Sequence, residues 1–398
     1  MAITKIEVPE LFDFGSDNSA FKLPTGTTAE RPTSPSNGEM RFNTTTGFVE
    51  YYDTTNTQWW EIDYAPPPFV ASDNFNIVLY TGSGTSTSVT GVGFEPDLVW
   101  GKARNSSSLS HILFDVVRGE NKQISSDLYD AQVVRGSAAY LFDSDGFTVT
   151  TAGNLNNPNN FVAWCWKAGG AAVSNTDGTI ASQVSANTAA GFSIVEYTGS
   201  GASGATVGHG LGKPPELIIV KALSTSSWAV YSEQTGISKF LELNYIYGTS
   251  SYSNFWGAAV PTNDVFGVAP GNFSNNLTGQ SLITYCFTSI SGYSKIGTYT
   301  GTGGALTVYT TDDGSSTGAN GFQPAFVMIK RTDSSGSWVM VDNKRANGDS
   351  RLYANLANAE DTGQGESFIS NGFKPRQTTT NDTNTSGGTY IYMAIAAT

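Results

Sequence analysis

The segment Gly199-Ser200-Gly201-Ala202-Ser203-Gly204 matches the glycine pattern of a dinucleotide loop and follows an apolar run that reads as a strand. Phosphate binding at such a loop needs a helix starting at the third glycine, whose free N–H groups hold the pyrophosphate. The residues that follow, Val207-Gly208-His209-Gly210-Leu211-Gly212-Lys213-Pro214-Pro215, cannot form one, because clustered glycines and paired prolines break helical geometry. The nucleotide reading is set aside, and no cofactor is expected.

Only two histidines are present, His111 and His209, and neither has cysteine or carboxylate neighbours at metal-ligand spacing. The acid pairs Asp143 with Asp145 and Asp312 with Asp313 have the chemistry to act on a glycosidic bond. Each pair stands among turn residues without a counterpart elsewhere in the chain, so both read as turn formers. Asp143-Ser144-Asp145-Gly146 begins like a calcium loop, yet the twelfth position, where the closing glutamate belongs, is Asn154. No glycine–serine cluster leads into a helical pattern, as a nucleophile elbow requires. Neither an enzyme nor a metal site is expected.

Aromatic faces offer a different chemistry, since tryptophan and tyrosine stack on sugars. Trp228, Trp338, Tyr245, Tyr247, Tyr252 and Trp256 have that potential, although most should belong to the core. The loop from Tyr245 to Trp256 is aromatic and polar together, and Tyr247, Tyr252 and Trp256 are the residues expected to touch a glycan or a neighbouring subunit.

The elements that must position these residues are strands. Only 14% of the 398 residues are charged, against about 25% in an ordinary soluble protein, and Gly, Ser, Thr and Asn fill the segments between short apolar runs. The runs are rich in Val, Ile, Phe, Tyr and Trp, which suit a pleated surface, and none carries helical spacing for three turns. An all-β chain with under a tenth helix is expected. Its net charge of −13 repels nucleic acid. No window approaches the roughly 18 continuous apolar residues of a membrane span, and Met1-Ala2-Ile3-Thr4-Lys5 has no apolar signal core behind it. The expectation is a product made in a cytoplasm, with no membrane insertion.

One pattern occurs three times. Each copy opens with a strand ending in Tyr-Thr-Gly-x-Gly, at Tyr80, Tyr197 and Tyr299. A glycine-led turn then enters an apolar strand with a proline at its start and a lysine six positions on: Pro96 to Lys102, Pro215 to Lys221, Pro324 to Lys330. A strand after a serine-rich turn follows, from Ser110, Ser227 and Ser337, and its alternation predicts one buried face. Here His111 stands where the other copies have Trp228 and Trp338, so it reads as a substitute aromatic. Each copy closes on an aromatic strand, beginning at Phe161, Leu282 and Tyr390, in which Cys165, Cys286 and Met393 are read as equivalent. Cysteines at equivalent places in separate units lie too far apart to pair, so both read as small core residues.

The spacing between copies is that of a whole small domain, which predicts three separate beads. The organisation expected is residues 1–64 as an attachment module, 65–72 as a proline-rich linker, and β-sandwich-like repeat domains at 73–170, 192–292 and 293–398. The small, polar stretch 171–191 is expected to link the first two.

Within the head, Glu30-Arg31-Pro32 is followed by Asn37-Gly38, Arg41-Phe42-Asn43, Phe48-Val49-Glu50-Tyr51-Tyr52-Asp53 and Gln58-Trp59-Trp60-Glu61-Ile62. Over residues 29–63 this resembles a small β-module common in phage tail and fibre proteins. The repeats, with Gly93-Phe94-Glu95-Pro96 and Gly321-Phe322-Gln323-Pro324, resemble a domain of unknown function in structural proteins of marine and cyanobacterial phages; the second copy departs, with Leu211-Gly212-Lys213-Pro214-Pro215. The resemblances imply a virion location without naming the part of the virion, and the favoured expectation is a tail-fibre or tail-appendage subunit that docks on other virion proteins through residues 1–64. They also imply a homotrimer. A capsid head fibre or decoration, or an adhesin for host surface glycan, are the alternatives.

Overall fold

The computed structural model describes residues 23–62, 69–269, 275–311, 318–363, 365–376 and 382–396. The protein is all-β, 41% strand and 3% helix, and the helical pieces among the described residues are three 3-10 turns. It divides into two compact units, Met1–Phe69 and Val70–Thr398. Of the expected linker at 65–72, residues 65–68 lie outside the described residues, and its end runs into the 3-10 turn Ala71–Asp73.

The first unit is a four-stranded sheet of Thr25–Gly26, Met40–Asn43, Phe48–Asp53 and Gln58–Ile62, in that order. Successive hairpins join the last three strands, and Thr25–Gly26 lies parallel to Met40–Asn43.

In the second unit each copy builds one main sheet with the same strand order: opening, closing, proline and serine strand. These strands are Phe75–Thr81, Asn160–Trp166, Leu98–Ala103 and Ile112–Asp115 in the first copy. They are Phe192–Thr198, Ser281–Phe287, Leu217–Ala222 and Trp228–Ser232 in the second. In the third they are Ser294–Thr300, Thr389–Ile395, Phe326–Arg331 and Val339–Asp342. A small sheet covers one face of each, making a sandwich; its first strand is Thr87–Thr90, Thr206–Gly208 or Val308–Tyr309.

The Tyr-Thr-Gly signature has a local cause. Tyr80, Tyr197 and Tyr299 donate their hydroxyls to the carbonyls of Leu155, Asn275 and Thr383, on a segment that crosses the opening strand. Two residues further along that segment, a carbonyl oxygen lies within 2.1–2.4 Å of where a Cβ on Gly82, Gly199 or Gly301 would sit. No larger residue fits there.

The copies are not separate beads, and the reason is burial on both faces. Every residue of the three proline strands is buried, as is every residue of the serine strands, where alternation predicted a single buried face. One face of each main sheet packs under its small sheet. The other faces meet in a common core holding Trp164, Trp166, Phe192, Phe287, Phe326 and Met393, contributed by all three copies. Trp166 alone makes ring contacts with Phe192 and Phe287 of the second copy and Phe326 of the third.

Equivalent polar contacts close the arrangement into a ring. Trp228 Nε1 donates to Ser125 O at 3.0 Å, Trp338 Nε1 donates to Glu242 O at 2.9 Å, and His111 Nε2 meets Tyr353 O at 3.0 Å. The second copy thus holds the first, the third holds the second, and the first holds the third. Backbone bonds repeat the circuit in the opposite sense: Gln132 N to Leu223 O, Thr249 N to Thr332 O, and Glu360 N to Arg104 O.

Two further expectations are corrected. The stretch 171–191 is not a plain linker, because Val173–Asn175 and Ser182–Asn187 extend the second copy's sheet beyond its opening strand. Met393 is not the counterpart of the cysteines. Cys165 pairs with Val99 and Cys286 with Ile218, and the residue in that register in the third copy is Ala394, opposite Val327. Both cysteines are free and buried.

Candidate functional site

In the first unit the residues of the head motif converge on one carboxylate. Glu50 is fully buried and accepts from Arg31 Nη2 at 2.5 Å and Asn43 Nδ2 at 3.0 Å, with Arg41 Nε at 3.3 Å. Burial pushes the Glu50 carboxyl up, but the bonds from Arg31 and Asn43 and the charges of Arg31 and Arg41 outweigh it and hold the pKa below the ordinary glutamate value. Arg41 also donates to Glu30 O and Thr27 O, fixing the chain that leads into the sheet.

Strand parity puts this network on one face and a different surface on the other. Cross-strand partners Met40, Tyr51 and Trp60 share the second face with Phe42, Val49 and Ile62. Met40, Tyr51, Trp60 and Ile62 are each 38–43% exposed. Among the described residues this apolar side of the small sheet is left partly open to solvent.

The aromatic loop of the second copy divides differently from the expectation. Trp256 is a core residue, fully buried, with Nε1 donating to Lys239 O at 3.0 Å and edge contacts to Tyr231 and Phe255. It cannot touch a glycan. Tyr252 is partly open and set edge-on to Phe255, whereas Tyr247 is 57% exposed and stacks on Tyr245 at 5.7 Å. Tyr245, not Trp256, therefore shares the open face with Tyr247. The third copy pins the loop beneath this pair: Lys330 Nζ and Gly336 N both donate to Ile246 O, at 2.9 and 2.8 Å.

The remaining candidates resolve as structural groups. His111 is buried; Trp100 Nε1 donates to its Nδ1 at 2.8 Å, which leaves Nε2 as the protonated nitrogen facing Tyr353 O. His209 is also buried, accepting from Leu211 N at Nδ1 and facing Thr262 O through Nε2. Asp145 accepts the N–H groups of Gly91 and Gly93, and Asp143 accepts from Thr148, so both acids serve their hairpin. Asp312 and Asp313 lie outside the described residues. The glycine string at 199–204 runs into the strand Thr206–Gly208. Among the described residues no three His, Cys, Asp or Glu side chains gather as a metal set.

Sequence reasoning missed the buried charges. Lys102, Lys221 and Lys330 are fully buried, and each amino group donates to at least two main-chain carbonyls, such as Ala103 O and Ser106 O for Lys102. Burial lowers their pKa values to about 8, 8 and 7. The repeated proline-to-lysine spacing was the available signal, but spacing alone does not reveal that a charged tip ends up inside. Two buried ion pairs, Asp115 with Arg118 at 2.6 Å and Asp342 with Arg345 at 2.7 Å, stand at equivalent places in the first and third copies.

Neither a curated protein nor a solved structure matches this chain. One family model does, described as a domain of unknown function (DUF7483), and it spans residues 70–398. Those limits coincide with the second compact unit, and therefore with the closed ring of three copies. By that match over most of its length, the chain belongs to the DUF7483 family.

Proposed function

We propose that this protein is a structural subunit of a bacteriophage virion, a tail fibre or tail appendage that docks through residues 1–64 and carries the ring for spacing or host contact. The observation that carries the reading is the two-faced head sheet. Motif residues Arg31, Arg41 and Asn43 lock onto Glu50 on one side and leave Met40, Tyr51, Trp60 and Ile62 open on the other. The resemblance of residues 29–63 to a phage tail module supports the virion setting, and the open face suits docking on other virion proteins. Trimerisation is proposed to run through the head, because the ring already buries its own three joints. Deleting residues 1–64 and following incorporation, with tails and heads separated, tests this: the truncated chain should be missing from tails. Loss from heads alone would assign it instead as a capsid decoration.

The exposed Tyr245–Tyr247 pair favours a second reading, contact with a host surface glycan, since a pinned aromatic platform binds sugar faces at low entropic cost. Tyr247→Ala should then abolish binding to host polysaccharide without changing thermal stability. Release of any product from that polysaccharide would overturn the non-enzymatic reading.

A further inference from the structure

The second copy differs from the other two in what lies along the outer edge of its opening strand. In the second copy, Ser182–Asn187 pairs antiparallel with Phe192–Thr198 and fills the slot between that strand and the first strand of the small sheet. Its inner residues Ile180, Ser182 and Val184 are buried, while Ala181 and Gln183 face out. Ile180 N donates to Thr206 O and Ser182 Oγ donates to Gly208 O, so the inserted strand is held from both sides.

The same slot in the third copy is a groove. It runs between the opening strand Ser294–Thr300 and Val308–Tyr309, has a volume of about 540 Å³, and is lined by Lys295, Gly297, Tyr299, Val308, Tyr309 and Tyr392. Ile296 N points away from the closing strand, donating to Ser289 Oγ at 3.0 Å. Alternation turns Thr298 N the same way, and among the described residues it has no acceptor. Its counterpart in the second copy is Glu196, whose partner across the ladder is Gln183. An edge with an unpaired donor beside a groove is a template for a further strand.

We propose that the groove beside Ser294–Thr300 is a docking site for an extended segment of another polypeptide, added antiparallel to the edge, with small or β-branched apolar residues at alternate positions. The chain itself shows the fitting occupant, since residues 180–187 solve the same geometry one copy earlier. Ladder bonds to Thr298 and Thr300 supply generic affinity, and the groove selects side chains that point inward. The inference concerns the ring alone and holds or fails independently of the virion reading.

The test uses the full-length protein and a synthetic peptide of residues 177–189. Calorimetric titration should show saturable binding, weakened at least about tenfold when the peptide carries Val184→Asp or when the protein carries Thr298→Pro, which removes the outward donor, with Thr298→Val as the control for the hydroxyl bond to Tyr390 O that the proline also deletes. Amide hydrogen exchange of wild-type protein with peptide should slow at Thr298, a readout that survives if the proline variant folds poorly. Absence of saturation up to about 1 mM peptide would overturn the proposal. So would binding that is indifferent to Thr298→Pro but lost with Leu79→Pro, which blocks the equivalent edge of the first copy.

Discussion

Trp164 of the first copy donates its Nε1 hydrogen to Asp342 Oδ2 of the third at 3.0 Å, inside a core that excludes water. Tyr285 of the second copy does the same to Asp115 of the first through its hydroxyl, at 2.8 Å. The third contact of the circuit would run from Met393 to Ser232, and there all its polar parts are replaced together. Methionine has no donor, serine carries no charge, and Thr235 stands where the other copies place Arg118 and Arg345. Two joints are therefore ionic and hydrogen-bonded and one is uncharged, each consistent within itself. That is what burial demands, because a charge left without its partner is far more costly than no charge at all.

Breaking the pair at the third copy should reveal this dependence. Arg345→Met leaves the Asp342 carboxylate buried with Trp164 as its remaining side-chain donor, and a loss of about 3–5 kcal/mol is expected in chemical denaturation. The double variant Asp342→Ser/Arg345→Thr, which copies the second joint, should recover most of the loss. What remains is the orphaned Trp164 N–H, of order 1–3 kcal/mol.

His111 is the small member of a large-and-small exchange. Trp100 and His111 of the first copy hold the places that Ile219 and Trp228 hold in the second and Met328 and Trp338 in the third, all of them buried. His111→Trp alone should overpack its joint and cost about 1–3 kcal/mol, and adding Trp100→Ile should relieve it. Thermal unfolding of both variants separates the two outcomes.

The same residue sets an acid limit. Burial, and then the charge of Lys102, hold the His111 pKa well below the usual histidine value. As pH falls below about 6.5 the unfolded chain takes up a proton that the folded ring refuses, so stability declines toward pH 5. Burial shifts His209 in the same direction. Trp100→Ile/His111→Trp should decline less than wild type over that interval.

Alkaline behaviour should run the other way at first. Lys330, depressed to about 7, sheds its proton in the folded form while the unfolded chain keeps it up to 10.5, so stability rises between those values. Lys102 and Lys221, each at about 8, add to the rise. Tyr140, raised to about 12 by burial, ionises earlier when unfolded, and stability turns down above about pH 10. A melting temperature higher at pH 9.5 than at 7.5, by at least about 2 °C, checks the sign, and Lys330→Met should shrink the difference.

Much of this fold is legible in the chain. The Tyr-Thr-Gly openings, the proline entries and the aromatic closings each mark a real strand, because turn chemistry and β-branched runs act locally. What is not local was lost. Leu217-Ile218-Ile219-Val220 and Phe326-Val327-Met328-Ile329 are continuous apolar runs, the signature of a sheet covered on both faces, and the ring is the cover they require. Sequence cannot say which neighbour supplies the second cover. Residues 171–191 read as a linker since they are small and polar, yet Ile180 and Val184 sit at strand spacing within them. Trp256 looked exposed because its loop is rich in serine and tyrosine; residue type does not disclose which aromatic turns inward. The head motif was recognised as a pattern, and only its geometry explains why arginine, asparagine and glutamate belong together there.

Truncating the protein after residue 292 tests the ring most directly. If three copies share one core, removing the third deprives Trp166 of Phe326 and Trp164 of Asp342, and the shortened chain should show no cooperative unfolding transition by circular dichroism. If residues 70–292 instead unfold cooperatively, with a midpoint close to that of the whole protein, the copies are independent domains and the shared core is refuted.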